Sequence, residues 1–420
     1  MKNLILALVF ITQAAIAQKN DSIDLFAFHK LAIENYPIIK QKALLENSLE
    51  LRLKNQNTNY LPQLYLNGQA SYQSAVTEIP IHIPGITIPE PYKDNYKITL
   101  DINQSIYDGG FTKKQKEIDK ANLNTDKQNI EVDLYKIKER INQLYFSVLL
   151  YQENEKILVL SQSEIKSKLS KIESGVRNGI SIESNANVLK SEILKIDQQL
   201  IEIQYLKSSF LEMIGEYINK KLPTNTLLPL PIIPSASGFD LQRQELKLFD
   251  FQKEKITASK SLISSKTMPK LNAFAQLGYG RPGLNMFLND FDKFYIVGAK
   301  LSWNIWNWNS TKNEKGMLDI QSQIIDNQKE IFIKNLKVNY YKDLSEIQKY
   351  DEILKKDIEI IVLKTKIKET ASLQLENGVI SATDYVTEVN AEAQAKLNQQ
   401  FHSIQKESAK INYLYNLGKL

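Results

Sequence analysis

Two halves of this chain carry the same landmarks in the same order, and their spacing limits what the chain can fold into. The segment YLPQLYLNGQASYQS at 60–74 resembles TMPKLNAFAQLGYGR at 267–281, with an offset of 207 residues between the matching prolines. Farther on, INQSIYDGG at 102–110 resembles LSWNIWNWN at 301–309, with an offset of 199. The copies therefore differ in length by 8 residues (207 minus 199), and the difference lies between the two landmarks.

Beyond these landmarks the two copies have the same length. Ile106 and Gly179 are 73 residues apart, and so are their counterparts Ile305 and Gly378. A loop tolerates insertions, whereas a helix whose end must meet a fixed partner does not. We therefore predict that each copy consists of two strands, a loop of variable length and a helical segment of fixed length.

The first 17 residues, MKNLILALVFITQAAIA, have the pattern of a secretory signal peptide. Lys2 provides the positive charge, Leu4–Ile11 the apolar run, and Ala15 and Ala17 the small residues of a cleavage site. The apolar run is too short to anchor the chain across a bilayer. We therefore expect an exported protein. The absence of cysteine excludes disulfides and thiolate chemistry.

Nothing in the remaining sequence indicates an enzyme. The net charge of +5 is small and lysines alternate with acids, so we expect no nucleic-acid partner. The histidines, His29, His82 and His402, are scattered and lack the spacing of a metal site. No nucleophile elbow or phosphate-binding loop is present. We predict no catalytic residue, no cofactor and no metal site.

Four segments alternate between apolar and polar residues, as strands with one polar face do. They are 63–72, 96–106, 271–279 and 294–305. A strand of about 9–12 residues is long enough to cross a bilayer at a tilt of ~45°. Aromatic residues near the ends of these segments suit the two membrane interfaces. They are Tyr60, Tyr72, Tyr96, Tyr279, Tyr295 and Trp303.

Two interpretations of these strands stay open at this point. Four strands cannot close a barrel, because even small barrels use about 8, and an open sheet would leave its edges unpaired in lipid. If the strands span a membrane, several chains must share one barrel. Alternatively, the strands form two hairpins of a soluble sheet, and the protein is a periplasmic coiled-coil scaffold or adhesin with a soluble β-domain.

Two long segments, 112–174 and 311–376, are free of proline and place apolar residues at heptad spacing. These positions are Ile141, Leu144, Val148, Tyr151, Leu158, Ile165, Leu169 and Ile172 in the first, and Tyr340, Leu344, Ile347, Leu354, Ile358 and Ile361 in the second. Each helix is expected to turn at an Asn-Gly pair and return as a shorter helix, because glycine accepts a positive φ. Leading helices are expected at 23–58 and 240–265.

These features together resemble the TolC-type outer-membrane efflux proteins, over essentially the whole chain after the signal peptide. The residues that carry the resemblance are Asn35-Tyr36-Pro37, Tyr60-Leu61-Pro62, Gln104-Ser105-Ile106-Tyr107-Asp108-Gly109-Gly110, Arg243-Gln244-Glu245-Leu246, and the paired Gly179 and Gly378. The second copy departs from the pattern at 306–309, where WNWN stands in place of YDGG.

The resemblance implies an α+β membrane protein in which each chain contributes four transmembrane β-strands to a trimeric twelve-stranded barrel, continued by a long α-helical coiled-coil tunnel in the periplasm. The chain would divide into a signal peptide (1–17), a first structural repeat (18–222), a proline-rich linker (223–238) and a second repeat (239–420). The implied function is a passive outer-membrane exit duct of a tripartite efflux or type I secretion system. The implied partners are two further copies, a periplasmic adaptor (membrane fusion protein), an inner-membrane pump and outer-membrane lipid.

The resemblance also implies two sets of functional residues. A ring of carboxylates at the periplasmic constriction corresponds to Asp384, while the second acid of the family falls on Thr387, with Glu388 one residue beyond. Asp384 also fits a capping box with Ser381, and this purely structural role stays open. The hairpin tips, Asn178-Gly179-Ile180 and Asn377-Gly378-Val379, are the expected contacts of the adaptor.

Overall fold

The computed structural model describes residues 24–77, 80, 85, 90–233 and 238–420. The predicted signal peptide, His82 with most of the proline-rich loop, and residues 234–237 of the linker lie outside the described residues. In chain order the helices and strands are α1 (Leu25–Asn35), α2 (Gln41–Asn57), β1 (Gln63–Tyr72), β2 (Asp94–Tyr107), α3 (Phe111–Arg177), α4 (Glu183–Ile218), α5 (Gln244–Ser265), β3 (Lys270–Arg281), β4 (Asp292–Ser302), α6 (Ser310–Glu376) and α7 (Ala382–Leu417). In the part of the chain that the structure describes, no helix has an apolar stretch that could cross a bilayer.

The first leading segment forms two helices, so the expectation of one helix over 23–58 is wrong. Asp24 begins α1, because its side chain accepts a hydrogen bond from the Ala27 N–H at 2.8 Å. α1 ends before Pro37, which lacks an N–H and disfavours the helical conformation of the preceding residue. Tyr36 accordingly has φ −69° and ψ 129°. A short 3₁₀ turn over Pro37–Lys40 leads into α2.

The four strands form one antiparallel sheet in the order β1-β2-β3-β4. The pairing of β1 with β2 starts at Gln63 opposite Asn103, and that of β3 with β4 starts at Lys270 opposite Ser302. β2 continues past Asn103 to Tyr107 because β3 pairs with it there. β4 ends at Ser302, so the expected strand 294–305 is too long at its C-terminal end. The residues after Ser302 have no partner strand among the described residues.

The sheet has one apolar and one polar face, as the alternation predicts. The apolar face is exposed in the single chain, with large exposed fractions for Leu64, Leu66, Tyr72, Ile98, Leu277, Tyr295, Val297 and Leu301. On the polar face, Asp101 accepts hydrogen bonds from Gln276 Nε2 at 2.6 Å and from Asn67 Nδ2 at 2.5 Å. This carboxylate therefore joins β1, β2 and β3.

Two phenylalanines on the polar face lie opposite glycines of the neighbouring strand. Phe274 of β3 is opposite Gly298 of β4, and Phe294 of β4 is opposite Gly278 of β3. Each ring lies over the glycine that faces it, and a Cβ added to either glycine would overlap the ring. The two rings can occupy these positions only because both facing residues lack a side chain.

The helices come in two pairs of equal length. α3 and α6 each contain 67 residues, and α4 and α7 each contain 36. This equality agrees with the equal landmark spacing in the two copies. At 1.5 Å per residue, α3 and α6 are about 100 Å long.

The predicted core positions behave differently in α3 and α6. In α3, Ile141, Val148 and Ile165 are fully buried, which confirms the heptad prediction there. In α6, by contrast, Ile358 is 56% exposed, so its predicted burial is wrong for the single chain. The reason is that α6 packs mainly on α7 and α5, which leaves its outer flank without a partner in this chain.

The proline-rich linker packs against the first hairpin. Leu228 is buried and exchanges two hydrogen bonds with Gln152 of α3: its N–H donates to Oε1 at 3.0 Å and its carbonyl accepts from Nε2 at 3.2 Å. Beyond the linker, the buried Arg243, the N-cap residue of α5, donates to the Tyr415 carbonyl at 3.0 Å. The linker therefore contacts α3, and the residue that begins α5 contacts the C-terminal end of α7.

Candidate functional site

Both helical hairpins turn at the predicted Asn-Gly pairs. After α3, the Ile180 N–H donates to the Gly175 carbonyl at 2.8 Å, and the Gly179 N–H donates to the Val176 carbonyl at 3.1 Å. Gly179 has a φ of 70°, the left-handed conformation that glycine adopts without strain. This is the Schellman arrangement, which satisfies the last carbonyls of a helix.

The second tip repeats this arrangement. After α6, the Val379 N–H donates to the Gln374 carbonyl at 2.8 Å, the Gly378 N–H donates to the Leu375 carbonyl at 3.1 Å, and Gly378 has a φ of 71°. The apolar residue that follows each glycine frequently packs back on its own helix. Here Val379 is 68% exposed and its counterpart Ile180 is 81% exposed. Each tip therefore presents one apolar side chain to the surroundings.

A complete capping box begins α7. The Asp384 N–H donates to Ser381 Oγ at 3.2 Å, and the Ser381 N–H donates to Asp384 Oδ2 at 3.0 Å. The Ser381 hydroxyl also donates to the same Oδ2 at 2.7 Å. These hydrogen bonds lower the pKa of the Asp384 carboxyl. The structure thus shows the capping role of Asp384, while its role in a carboxylate ring stays a prediction.

The three residues predicted for the constriction line one groove between α6 and α7, with a volume of about 460 Å³. They differ in what their side chains contact. The Thr387 hydroxyl donates to the Thr383 carbonyl at 2.9 Å, and the Glu388 carboxylate lies 3.6 Å from Lys364 Nζ. Asp384 is exposed, and within the described residues it forms no ion pair. Of the two carboxylates, that of Asp384 therefore has the less compensated negative charge.

Asn185 forms a contact between the two hairpins that the comparison of the two repeats did not predict. It occupies the position of Asp384 in the first copy, but the N-cap residue of α4 is Ile182, and no side chain caps this helix. Its Oδ1 instead accepts a hydrogen bond from the Ala382 N–H at 3.1 Å. Ala382 is the first residue of α7, so the first hairpin satisfies a helix N-terminus of the second. The two returning helices consequently begin side by side.

A buried lysine also connects the two hairpins near their tips. Lys168 of α3 is 7% exposed, and its Nζ donates to Glu376 Oε1 at 2.7 Å and to the Ser372 carbonyl at 3.3 Å, both on α6. The exposed Lys171 lies 2.9 Å from the same Glu376 oxygen. The hydrogen bond from Lys168, together with that from Lys171, lowers the pKa of Glu376 to about 2. Glu376 therefore stays ionised at neutral pH.

A second polar cluster near the hairpin tips links α3, α6 and α7. The fully buried Tyr385 donates its hydroxyl to Glu164 Oε1 at 3.4 Å, and burial raises the pKa of this tyrosine. Lys368 Nζ lies 2.9 Å from Glu164 and 3.1 Å from Glu392. These contacts surround an apolar cluster that includes Leu375 and Tyr385. The heptad pattern did not predict these polar contacts, because it assigns charged residues to positions that face solvent.

The described histidines do not come together. His29 pairs with Asn142 on α3, and His402 of α7 pairs with Asp357 of α6, each at 2.7 Å. Within residues 24–77, 90–233 and 238–420, no group of three or more histidine, aspartate or glutamate side chains is arranged to hold a metal ion. Each histidine has its own structural partner.

Comparison with solved structures identifies the fold. The outer membrane protein VceC of Vibrio cholerae superposes with a TM-score of 0.65 at 12% identity, covering 94% of this chain and 96% of its own. The CmeC outer membrane channel of Campylobacter jejuni gives 0.65 at 15% identity, with coverages of 96% and 86%. CusC, described in connection with transmembrane channel formation, gives 0.69 at 13% identity, with coverages of 94% and 92%.

The single chain therefore has the fold of these outer-membrane channel proteins, as the resemblance implied, while the twelve-stranded barrel shared by three chains stays a prediction. The sequence itself matches no protein-family model and no curated protein.

Proposed function

We propose that this protein is a passive exit duct of the outer membrane, working as a homotrimer. The observation that carries the proposal is the union, in one chain, of a sheet with an exposed apolar face and helical hairpins about 100 Å long. Three chains of four strands form a closed twelve-stranded barrel, in which the apolar face contacts lipid and no strand edge remains unpaired. The helices continue this barrel as a tunnel through the periplasm.

The helices support the trimer as well. α4 and α6 lie on opposite sides of the chain's helical layer, because α3 and α7 pack between them. Both present exposed apolar side chains, which are Leu194, Ile201 and Tyr205 on α4, and Ile324, Ile331, Val338, Ile358 and Leu363 on α6. Such stripes need a partner in water. Contact of α4 in one copy with α6 in the next buries both stripes and closes the tunnel.

The tips form the periplasmic end of the duct. In a trimer, three copies of Asp384 surround one axis and favour the passage of cations. The exposed Ile180 and Val379 suit contact with the helical hairpins of a periplasmic adaptor, which in turn connects the duct to an inner-membrane pump. Efflux of small compounds and type I secretion both use a conduit of this form.

Two measurements test the proposal. In membrane fractions, the protein should migrate as a trimer that heating converts to a monomer, and in a planar bilayer it should produce discrete single-channel currents. A mature chain that is soluble and monomeric without detergent would instead support the scaffold or adhesin.

A deletion tests the fixed length of the helices. Deleting four residues from α3 alone should stagger the two tips and weaken adaptor binding while the trimer persists.

A further inference from the structure

Within one chain, the two structural repeats meet in the sheet where β2 ends and β3 begins. β2 leads through Gly109 and Gly110, with φ of 73° and 79°, into α3. β3 starts at Lys270, directly after Pro269. The two sides touch closely, because a Cβ added to Gly109 would lie 2.9 Å from the Cβ of Met268. We call this contact the β2–β3 joint.

Each edge of the sheet carries one side of a second such joint. β4 leads through Trp308 and Asn309, with φ of 52° and 61°, into α6, at the offset of 199 from Gly109 and Gly110. β1 starts at Gln63 directly after Pro62, at the offset of 207 from Lys270. Within one chain these two sides are separated by β2 and β3 and cannot meet.

The register of the two hairpins shows that these offsets apply along the strands and not only at their ends. β1 and β2 start pairing at Gln63 opposite Asn103. Adding the offsets of 207 and 199 gives Lys270 opposite Ser302, which is the first pair of β3 and β4. The β2–β3 register can therefore be transferred to the pairing of β4 in one chain with β1 in a second chain.

We propose that β4 pairs with β1 of a second copy of this chain in the β2–β3 register, which places Ser302 opposite Asn67, Leu301 opposite Gly68, and Lys300 opposite Gln69. This inference rests on the proposed trimer and specifies its strand contact. The faces agree: Lys300 and Gln69 both belong to the polar face, whereas Leu301 and Gly68 both belong to the apolar face. A register shifted by one residue would mix the faces.

The same pairing accounts for the early end of β4. The β1–β2 pairing stops at Asn103, as the β3–β4 pairing stops at Ser302, yet β2 continues to Tyr107 because β3 pairs with its other side. β4 has no strand on its other side in the single chain. A second copy supplies one, with Trp303 opposite Leu66, and extends β4 in the direction that the sequence predicts.

The largest difference between the joint of two chains and the β2–β3 joint lies at the position of Gly109. Trp308 replaces Gly109, at whose place even a Cβ is too close to its neighbours. The offset of 207 places Leu61 of the second copy where Met268 stands in the β2–β3 joint. The two sides must therefore lie farther apart between copies than within a chain. Trp308, 83% exposed in the single chain, covers the added space against Leu61.

Disulfide cross-linking tests the register directly, because the natural chain contains no cysteine. The matched pair is Lys300→Cys with Gln69→Cys, and the shifted controls combine Lys300→Cys with Asn67→Cys or Ser71→Cys. Directly opposed Cβ atoms lie about 4.5–5.5 Å apart and diagonal ones about 7–8 Å, whereas a disulfide needs about 4 Å. Within one chain β1 and β4 are about 14 Å apart, so any cross-link joins two copies.

After oxidation in membranes and heating without reductant, the matched pair should migrate as covalent dimers and trimers, and the shifted pairs should remain mostly monomeric. A second matched pair, Leu301→Cys with Gly68→Cys, repeats the test on the apolar face, where a Cβ added to Gly68 meets nothing within 4 Å. Preferential cross-linking of a shifted pair overturns the register. So does a heat-sensitive trimer in which neither matched pair cross-links, although the proposed duct then stands. A chain that is monomeric in membranes overturns both.

Discussion

The buried histidine of α1 gives this protein a pH-dependent stability whose size follows from the structure. His29 is 4% exposed, and its Nε2 lies 2.7 Å from Asn142 Oδ1. In the neutral ring, Nε2–H donates to Asn142. Protonation would place a positive charge on this buried ring.

Burial is the main reason that the pKa of His29 falls from 6.5 to about 4. The charge of the nearby Lys138 lowers it further, whereas the hydrogen bond with Asn142, the charge of Asp24 and a hydrogen bond with the Lys138 backbone oppose the change. Since the unfolded state binds the proton more readily, the stabilisation is complete well above pH 6.5 and is lost as the pH falls towards about 4. At about 1.36 kcal/mol per pKa unit, the full loss is about 3 kcal/mol, and at about pH 5.5 it is about 1 kcal/mol.

Hydrogen exchange on the backbone amides of α1 measures this effect locally. Between about pH 7.5 and about pH 5.5, the opening equilibrium of α1, corrected for intrinsic exchange, should rise about tenfold. In His29→Gln, whose amide cannot be protonated, this rise should disappear. His402→Gln is the matched control on a different helix pair and should leave the pH dependence of α1 unchanged.

The reasoning is refuted if His29→Gln retains the tenfold rise, because the proton that opens α1 then binds elsewhere. It is also refuted if the imidazole of the folded protein titrates near its ordinary pKa in a direct NMR titration. The second result would mean that water reaches the ring of His29 in the folded protein.

Three further predictions concern the hairpin tips. Asp384→Asn should reduce cation selectivity and block by multivalent cations, whereas Ser381→Ala, which weakens the same cap but keeps the charge, should not. Reversal potentials in planar bilayers distinguish the two variants. If both variants have the same selectivity, Asp384 has only its capping role. Gly378→Ala should destabilise the tip by about 1 kcal/mol, because alanine is strained at positive φ, and an unchanged denaturation midpoint would contradict this. Lys168→Met should cost about 1.5–3 kcal/mol and accelerate amide exchange at the end of α6, whereas Lys171→Met, which loses only an exposed ion pair, should have little effect in the same assay.

The local rules of chain geometry were readable from the sequence. The tips at Gly179 and Gly378, the buried positions of α3 and the capping box at Ser381 all follow from periodicity or from residue types that suit one backbone conformation. The break at Pro37 was readable by the same rules, since proline ends a helix, but the apolar pattern on both sides concealed it.

What the sequence did not reveal depends on neighbours distant in the chain. Trp303 continues an alternating pattern, yet a strand forms only where another strand pairs with it. Ile358 has the spacing of a core residue, yet its partner is not in the same chain. The contact of Asn185 with Ala382, and the burial of Lys168, depend on how two hairpins are placed side by side. No pattern within either hairpin encodes these contacts.

The two phenylalanines that lie over glycines have a consequence for how this sheet can change in evolution. A side chain at Gly278 displaces the ring of Phe294, and one at Gly298 displaces that of Phe274. Replacing either glycine alone would push an aromatic ring away from the sheet and into the space above the polar face. In related chains, each glycine and its phenylalanine should therefore be replaced together, and sequence covariation should single out these two pairs within the sheet.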